Sequence, residues 1–288
     1  MTLLEKSDQS AEVYVEALAR KSGSSFLAGM RVLSAQKRRA MFAVYAFCRE
    51  VDDIADEEGT PAQKQRQLGE WRTELDFLFD GLPQSSIGQA LLAPVEHYGL
   101  RKSDFLAVID GMEVDAQPSV RIADDAALAT YCDRVAGAVG RLSCGVFGVP
   151  RQLGDPLSDA LGQALQLTNI LRDFHEDGLR DRLYAPISLL HEHGIPADAE
   201  VVEILNHPAF PNVCGVLAAR TRKFFAEAEV VIAKCERRAV RPAAIMMEVY
   251  RCVFIALGQR GWDGPMLERG VRVSSARKLW IVLRHGVF

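Results

Sequence analysis

The chain has 288 residues, with 34 Lys+Arg against 38 Asp+Glu for a formal net charge of −4; 49% of its residues are apolar and 25% charged. These proportions belong to a globular protein and exclude disordered and fibrous classes, while the slightly acidic balance argues against nucleic acid as the main partner. No apolar run approaches the roughly 20 residues that cross a bilayer, and Met1 to Gln9 lacks the basic-then-apolar order of a secretion signal, so a soluble, cytoplasmic protein is expected.

Helical signals run almost end to end. Ser10 to Arg20 reads as an opening helix, and Ser34 to Asp56 as a longer one that Ser34 caps. Thr60-Pro61 reads as an N-cap followed by proline at the first helical position, starting a helix that stops before Gly81-Leu82-Pro83. Ile87 to His97, Lys102 to Ala116, Asp124 to Phe147 and Pro156 to Asp177 follow. Asp198 to Leu205, Ala209 to Arg237 and Pro242 to Gln259 come next, with a tail from Ser274 to His285. Alternating strand-like patterns are essentially missing. Ala40 to Cys48 and Val213 to Ile232 are apolar on more than one face, as walls of a deep interior are. No repeat or linker divides the chain, so residues 1–288 read as one all-α domain. The six cysteines are scattered without a C-x-x-C pair, which fits small buried hydrophobes kept reduced.

Two segments carry chemistry. In Cys48-Arg-Glu-Val-Asp-Asp-Ile-Ala-Asp-Glu57, Asp52 and Asp56 project from one helical face a turn apart, with Asp53 beside them. In Gln166-Leu-Thr-Asn-Ile-Leu-Arg-Asp-Phe-His-Glu-Asp177, the residues Asn169, Asp173 and Asp177 again share a stripe. Like charges at that spacing destabilise a bare helix. Placing them twice at the end of an apolar helix makes sense if a divalent cation neutralises them. Oxygen-only donors suit Mg²⁺, which takes one or two carboxylates and completes its shell with water and phosphate oxygens. Arg49, Arg172, Arg180 and Arg182 follow at once, and guanidinium groups bind phosphate oxygens bidentately. A single D-x-x-x-D is usually a solvated face; the recurrence after hydrophobic stretches is what argues for a site.

Four motifs in order then carry a resemblance: Tyr45-x-x-x-Arg49-x-x-Asp52-Asp53-x-x-Asp56, Tyr131-Cys-Asp-Arg-Val-Ala-Gly-Ala-Val-Gly140, Gln166-x-x-Asn169-x-x-x-Asp173-x-x-x-Asp177 and Arg182-Leu-Tyr-Ala-Pro186. The chain resembles the squalene/phytoene synthase family, head-to-head prenyl transferases of the isoprenoid synthase fold, a helical bundle around a deep central cavity. The wording of Ser22 to Phe26 and of Cys48 to Glu57 is most similar to the bacterial presqualene diphosphate synthases of hopanoid pathways. The resemblance implies Mg²⁺, two or three ions, held directly or through water by Asp52, Asp56, Asn169, Asp173 and Asp177, with Asp53 in support. It implies that Arg49, Gln166 and Arg182 hold diphosphate, that Tyr45 and Tyr131 hydrogen-bond it or steer the reacting carbons, and that Tyr250 is a further diphosphate contact. The basic group that members commonly carry in the segment Ser22-Gly-Ser-Ser-Phe26 is missing, so only Ser25 and Phe26 are carried over, as site-lining residues.

The implied reaction condenses two farnesyl diphosphates to presqualene diphosphate and diphosphate, which needs an apolar, water-excluding cavity. Val135, Gly137, Ala138, Val139, Leu161 and Leu165 form a stripe that would take two prenyl tails, although core packing selects the same residues. Phytoene or dehydrosqualene synthesis is the alternative, with complete NADPH-dependent squalene synthesis beside it and a non-catalytic binder of isoprenoid diphosphates as the reading from another class. No glycine-rich dinucleotide fingerprint occurs, which only weakly disfavours a reductive step with NADPH, because the family the chain resembles binds NADPH without that motif. Expected partners are farnesyl diphosphate and downstream isoprenoid enzymes, but not nucleic acid. His191-Glu-His193 reads as a solvated helix end. The basic cluster Arg269, Arg272, Arg277 and Lys278 beside Leu279 to Leu283 reads as a helix closing the core, with peripheral contact at the inner membrane face as the second expectation.

Overall fold

Local signals set most of the helix starts. In the computed structural model, which describes residues 11–19, 29–271, 273–274, 276–277, 280–281 and 284, the Ser34 hydroxyl accepts from the Lys37 N–H at 3.4 Å and opens α1 (Ala35–Asp56). Thr60 and Gln63 form a reciprocal capping box ahead of α2 (Pro61–Phe79), satisfying two donors that a helix start otherwise leaves bare. The helices α3 (Ser86–Tyr98) and α4 (Lys102–Asp115) complete the first half. Residues 11–19 are helical, as expected.

The stretch expected as one helix from Asp124 to Phe147 is broken in register. It comprises α5 (Asp125–Cys132), a π-helical segment (Asp133–Gly137) and α6 (Ala138–Phe147). One extra residue in the turn leaves no compositional trace, and such segments gather at functional sites. Gly148, at φ +79°, ends α6 in the left-handed conformation that glycine adopts without strain. The chain then reverses into α7 (Arg151–Gly178), the longest helix described. Its central position demands close approach: a Cβ on Gly162 would stand 2.7 Å from the Gly137 backbone nitrogen, so glycine alone lets α7 lie against the π segment.

The second half holds α8 (Ile187–Glu192), α9 (Val201–Leu205), α10 (Phe210–Ile232), α11 (Arg237–Arg260) and α12 (Gly264–Leu267). The helix α7 packs on α10, α6 and α11, while α1 packs on α3, α4 and α6. Phe47, Phe105 and Trp71 meet edge to face at 5.1–5.5 Å between α1, α4 and α2, a favourable aromatic geometry. His191 and Glu192 are exposed at the end of α8, as their sequence context implies. Ile281 is buried against Ile245 and Val249, so this part of the tail closes the core; Arg272 and Lys278 lie outside the described residues, as does the segment Ser22 to Phe26 with Ser25 and Phe26.

One element has no counterpart among the sequence expectations. Two two-residue strands, β1 (Val120–Arg121) and β2 (Arg182–Leu183), pair in parallel with Val120 opposite Arg182. Asp181 just before β2 has φ +55°, a conformation Asp tolerates better than most residues. Arg121 fastens it, donating to the Asp181 carbonyl at 2.7 Å and to its carboxylate at 2.5 Å. This turn brings the chain back from the end of α7 toward the end of α1.

Candidate active site

Both acidic segments occupy C-terminal halves of helices, where the helix dipole disfavours anions. The protein offsets that with arginines at the first segment. Arg49 pairs with Asp52 at 3.0 Å and with Asp53. Arg182, delivered by β2, donates to the Asp56 carboxylate at 2.8 Å, and Arg180 reaches the same oxygen at 3.1 Å. The other nitrogen of the Arg182 guanidinium donates to the carbonyls of Ala55, at 3.2 Å, and Asp115, at 2.8 Å. Arg182 thus ties the chain after α7 to the end of α1, and the two acidic segments face a common space.

The electrostatics of that space are uneven. Burial raises the Asp56 carboxyl, but the hydrogen bond and charge of Arg182, joined by Arg180, outweigh it and leave the pKa below the usual value. Asp52 is raised to about 6 by burial and then by the Asp56 charge, with Arg49 opposing. Asp177 is raised to about 7, first by burial and then by Asp173, with smaller contributions from Asp115 and Asp56, and Arg182 offsets only part. Asp173 is gripped by Arg172 through two hydrogen bonds at 2.6 and 2.7 Å. One turn earlier, the Asn169 amide nitrogen donates to Gln166 at 3.2 Å, while its carbonyl oxygen is buried with no donor among the described residues.

These residues suit a hard divalent cation. The donors are all oxygens, the negative charge is under-compensated at Asp177 and Asp52, and a buried amide oxygen lacks a partner. Among the described residues, no three His, Cys, Asp or Glu side chains converge closely enough to form a cage by themselves. An ion here would use one or two protein carboxylates and fill its shell from water and substrate.

Two cavities adjoin the acidic space. One runs between α6 and α7 under α11. It gathers Val135, Val139, Leu161 and Leu165 on its apolar walls and Gln166, Asn169 and Tyr250 at its polar end. The other has Tyr45, Cys48, Arg49 and Asp52 of α1 facing Val135 and Val139. Val135, in the π segment, and Val139 belong to both. The Cys48 thiol is pushed up to about 12 by burial and then by the Asp52 charge, so it is a protonated wall residue at neutral pH. Tyr131 lies one layer back. Its hydroxyl donates to Asp115, 3.0 and 3.1 Å from the two carboxylate oxygens, and burial followed by the Asp115 charge drives its pKa well above the usual range.

Sequence reasoning passed over Asp115 and gave Tyr184 no role. Asp115 ends α4, is 7% exposed and accepts from both Tyr131 and Tyr184, the latter at 2.7 Å; the two rings stack at 4.9 Å. Burial raises Asp115 to about 6, against the hydrogen bond from Tyr184 and the charge of Arg182. Tyr184 stood within the quoted motif Arg182 to Pro186, whereas Asp115 closes an ordinary mixed helix with no local signal.

The sequence profile of the squalene/phytoene synthase family matches residues 19–277. The presqualene diphosphate synthase of Rhodopseudomonas palustris is 43% identical over 266 residues, covering 92% of this chain and 94% of that protein. The presqualene diphosphate synthase of Sinorhizobium fredii is 41% identical, with 92% and 94% covered. A crystal structure of a dehydrosqualene synthase with a ligand superposes with a TM-score of 0.83 over 98% of this chain and 97% of that one, at 23% identity, which establishes the isoprenoid synthase fold. The chain belongs to the squalene/phytoene synthase family.

Proposed function

We propose that this protein is a prenyl transferase that condenses two molecules of farnesyl diphosphate head to head, giving presqualene diphosphate and free diphosphate. The relatives at 41–43% identity are presqualene diphosphate synthases, which supports the product of this reading. The observation that supports it is local: two apolar cavities share the wall of Val135 and Val139, one reaching Asp52 and the other Gln166 and Asn169, and the charges of Arg182 and Asp56 reach across to Asp177.

Asp52 and Asp56 on one side, and Asn169, Asp173 and Asp177 on the other, would hold Mg²⁺. Bound there, Mg²⁺ neutralises the diphosphate and makes it a better leaving group. Arg49 and Arg180, half-exposed beside the first station, are free to turn from carboxylate to phosphate oxygens when a diphosphate arrives, and Gln166 and Tyr250 line its polar approach. Arg182, held on three acceptors, keeps Asp56 in place; Asp53 shares Arg49 with Asp52. One allylic carbon–oxygen bond breaks and diphosphate departs with the electron pair. The double bond of the second substrate attacks the resulting cation, and loss of a proton closes the cyclopropane. The walls built from Val135, Val139, Leu161 and Leu165 exclude water from that cation. Tyr45 faces the cavity beside α1 directly, while Tyr131 acts from behind through Asp115 and Tyr184. No helix among the described residues is long and apolar enough to cross a membrane.

The test is incubation with farnesyl diphosphate and Mg²⁺, with and without NADPH, followed by product extraction. Presqualene diphosphate that persists with NADPH present is the expected product. Squalene or a C40 product would replace this reading with its family alternatives, and no diphosphate release from farnesyl or geranylgeranyl diphosphate would end it.

A further inference from the structure

The cavity between α6 and α7 has a measurable depth. Its α7 wall is one continuous stripe from Asn169 at the polar end to Leu157, which at 1.5 Å per residue spans about 18 Å. An isoprene unit advances a chain by four carbon–carbon bonds of about 1.5 Å in zigzag, about 5 Å per unit. Three units need about 15 Å and four about 20 Å on that scale, so the groove holds three and falls short of four.

The far end is closed by the turn of the α6–α7 hairpin. Phe147, the last residue of α6, lines the cavity there and is 6% exposed. Its neighbours at that end are Leu157 and the pair Ser158 and Cys144, joined at 3.5 Å. Behind Cys144 lies a different, polar space that includes Arg101, which pairs with Asp104 and Asp155. A tail that passed the floor would have to desolvate that ion network, which an alkyl chain cannot compensate. The removable obstacle is the Phe147 ring.

We infer that Phe147 is the stop that limits the tail in this cavity to three isoprene units. The inference rests on the prenyl transferase reading and adds to it the residue that sets the substrate's length. Truncating the ring opens room at the hairpin end of the groove without touching either acidic station.

The experiment compares kcat/KM for diphosphate release from farnesyl and geranylgeranyl diphosphate in wild type, Phe147→Ala and Phe147→Leu. Wild type prefers the shorter tail by about tenfold or more, and Phe147→Ala shrinks that preference by about tenfold, mainly by a gain on the longer substrate, with Phe147→Leu in between. Equal use of both tails by wild type, or a proportional loss on both in the variants, overturns the inference. Competition binding of unreactive thio-diphosphates bearing the two tails, to wild type and Phe147→Leu, reads tail preference without turnover. It therefore keeps the stop testable if Phe147→Ala does not fold, and if the reaction itself proves different. Equal affinity of wild type for the two analogues would also sink the stop.

Discussion

The two acidic stations carry the same chemical groups and solve opposite electrostatic problems. At the end of α1, Asp52, Asp53 and Asp56 are braced by Arg49, Arg180 and Arg182; Asp56 ends below the usual carboxylate pKa, while Asp52 still rises to about 6. In the α7 station Asp173 is paired with Arg172, Asp177 rises to about 7, and the Asn169 oxygen lacks a donor among the described residues. The first station is largely assembled by the protein. The second is left under-neutralised, which is how a site looks when its counter-charge arrives with the substrate.

The largest expected effect ignores that difference. If both stations serve one leaving group, as proposed, Asp52→Asn and Asp173→Asn should each slow diphosphate release by about 10²-fold or more. A variant of either station that keeps full turnover would break the pairing. Stability should instead separate the stations. Asp56→Asn strips the buried guanidinium of Arg182, 10% exposed, of its charge partner and should cost about 2 kcal/mol in denaturant unfolding. Asp177→Asn relieves burial and repulsion and should raise stability by about 1 kcal/mol at pH 8. If both substitutions shift the unfolding midpoint the same way, the contrast fails.

The smallest effect concerns the bracing layer behind the first station. Asp115 has a folded pKa near 6, above its unfolded value, so its favourable contribution is fully present below the unfolded pKa and is lost as pH rises through 6. Wild-type stability relative to Asp115→Asn should therefore decline between pH 4 and pH 7, by up to about 3 kcal/mol. A difference independent of pH would show that Asp115 does not titrate in that window.

Much of this was legible in the sequence because its signals are local. Ser34 and Thr60-Pro61 mark helix starts through side-chain hydrogen bonds made within one turn. Asp52 with Asp56, and Asn169 with Asp173 and Asp177, share faces by periodicity alone. Pro156 and Pro242 misled as starts: each is the sixth residue of its helix, α7 and α11, which begin at Arg151 and Arg237. Proline that early removes one intrahelical bond, a loss that packing overrides. The π segment is one residue of surplus in a helical pattern, and β1 with β2 is too short to alternate, so neither leaves a period to read. Yet these two features put Val135 in the shared wall and Arg182 on Asp56. Asp115 stayed hidden for the same reason, since its partners come from α5 and from the residue just after β2 rather than from its own helix.

Calorimetric titration of inorganic diphosphate, with and without Mg²⁺, into wild type, Asp52→Asn and Asp173→Asn tests most directly whether both stations serve one site. Binding that requires Mg²⁺ and is lost in both variants is the expected result. Wild-type affinity surviving the loss of one station's aspartate would contradict it.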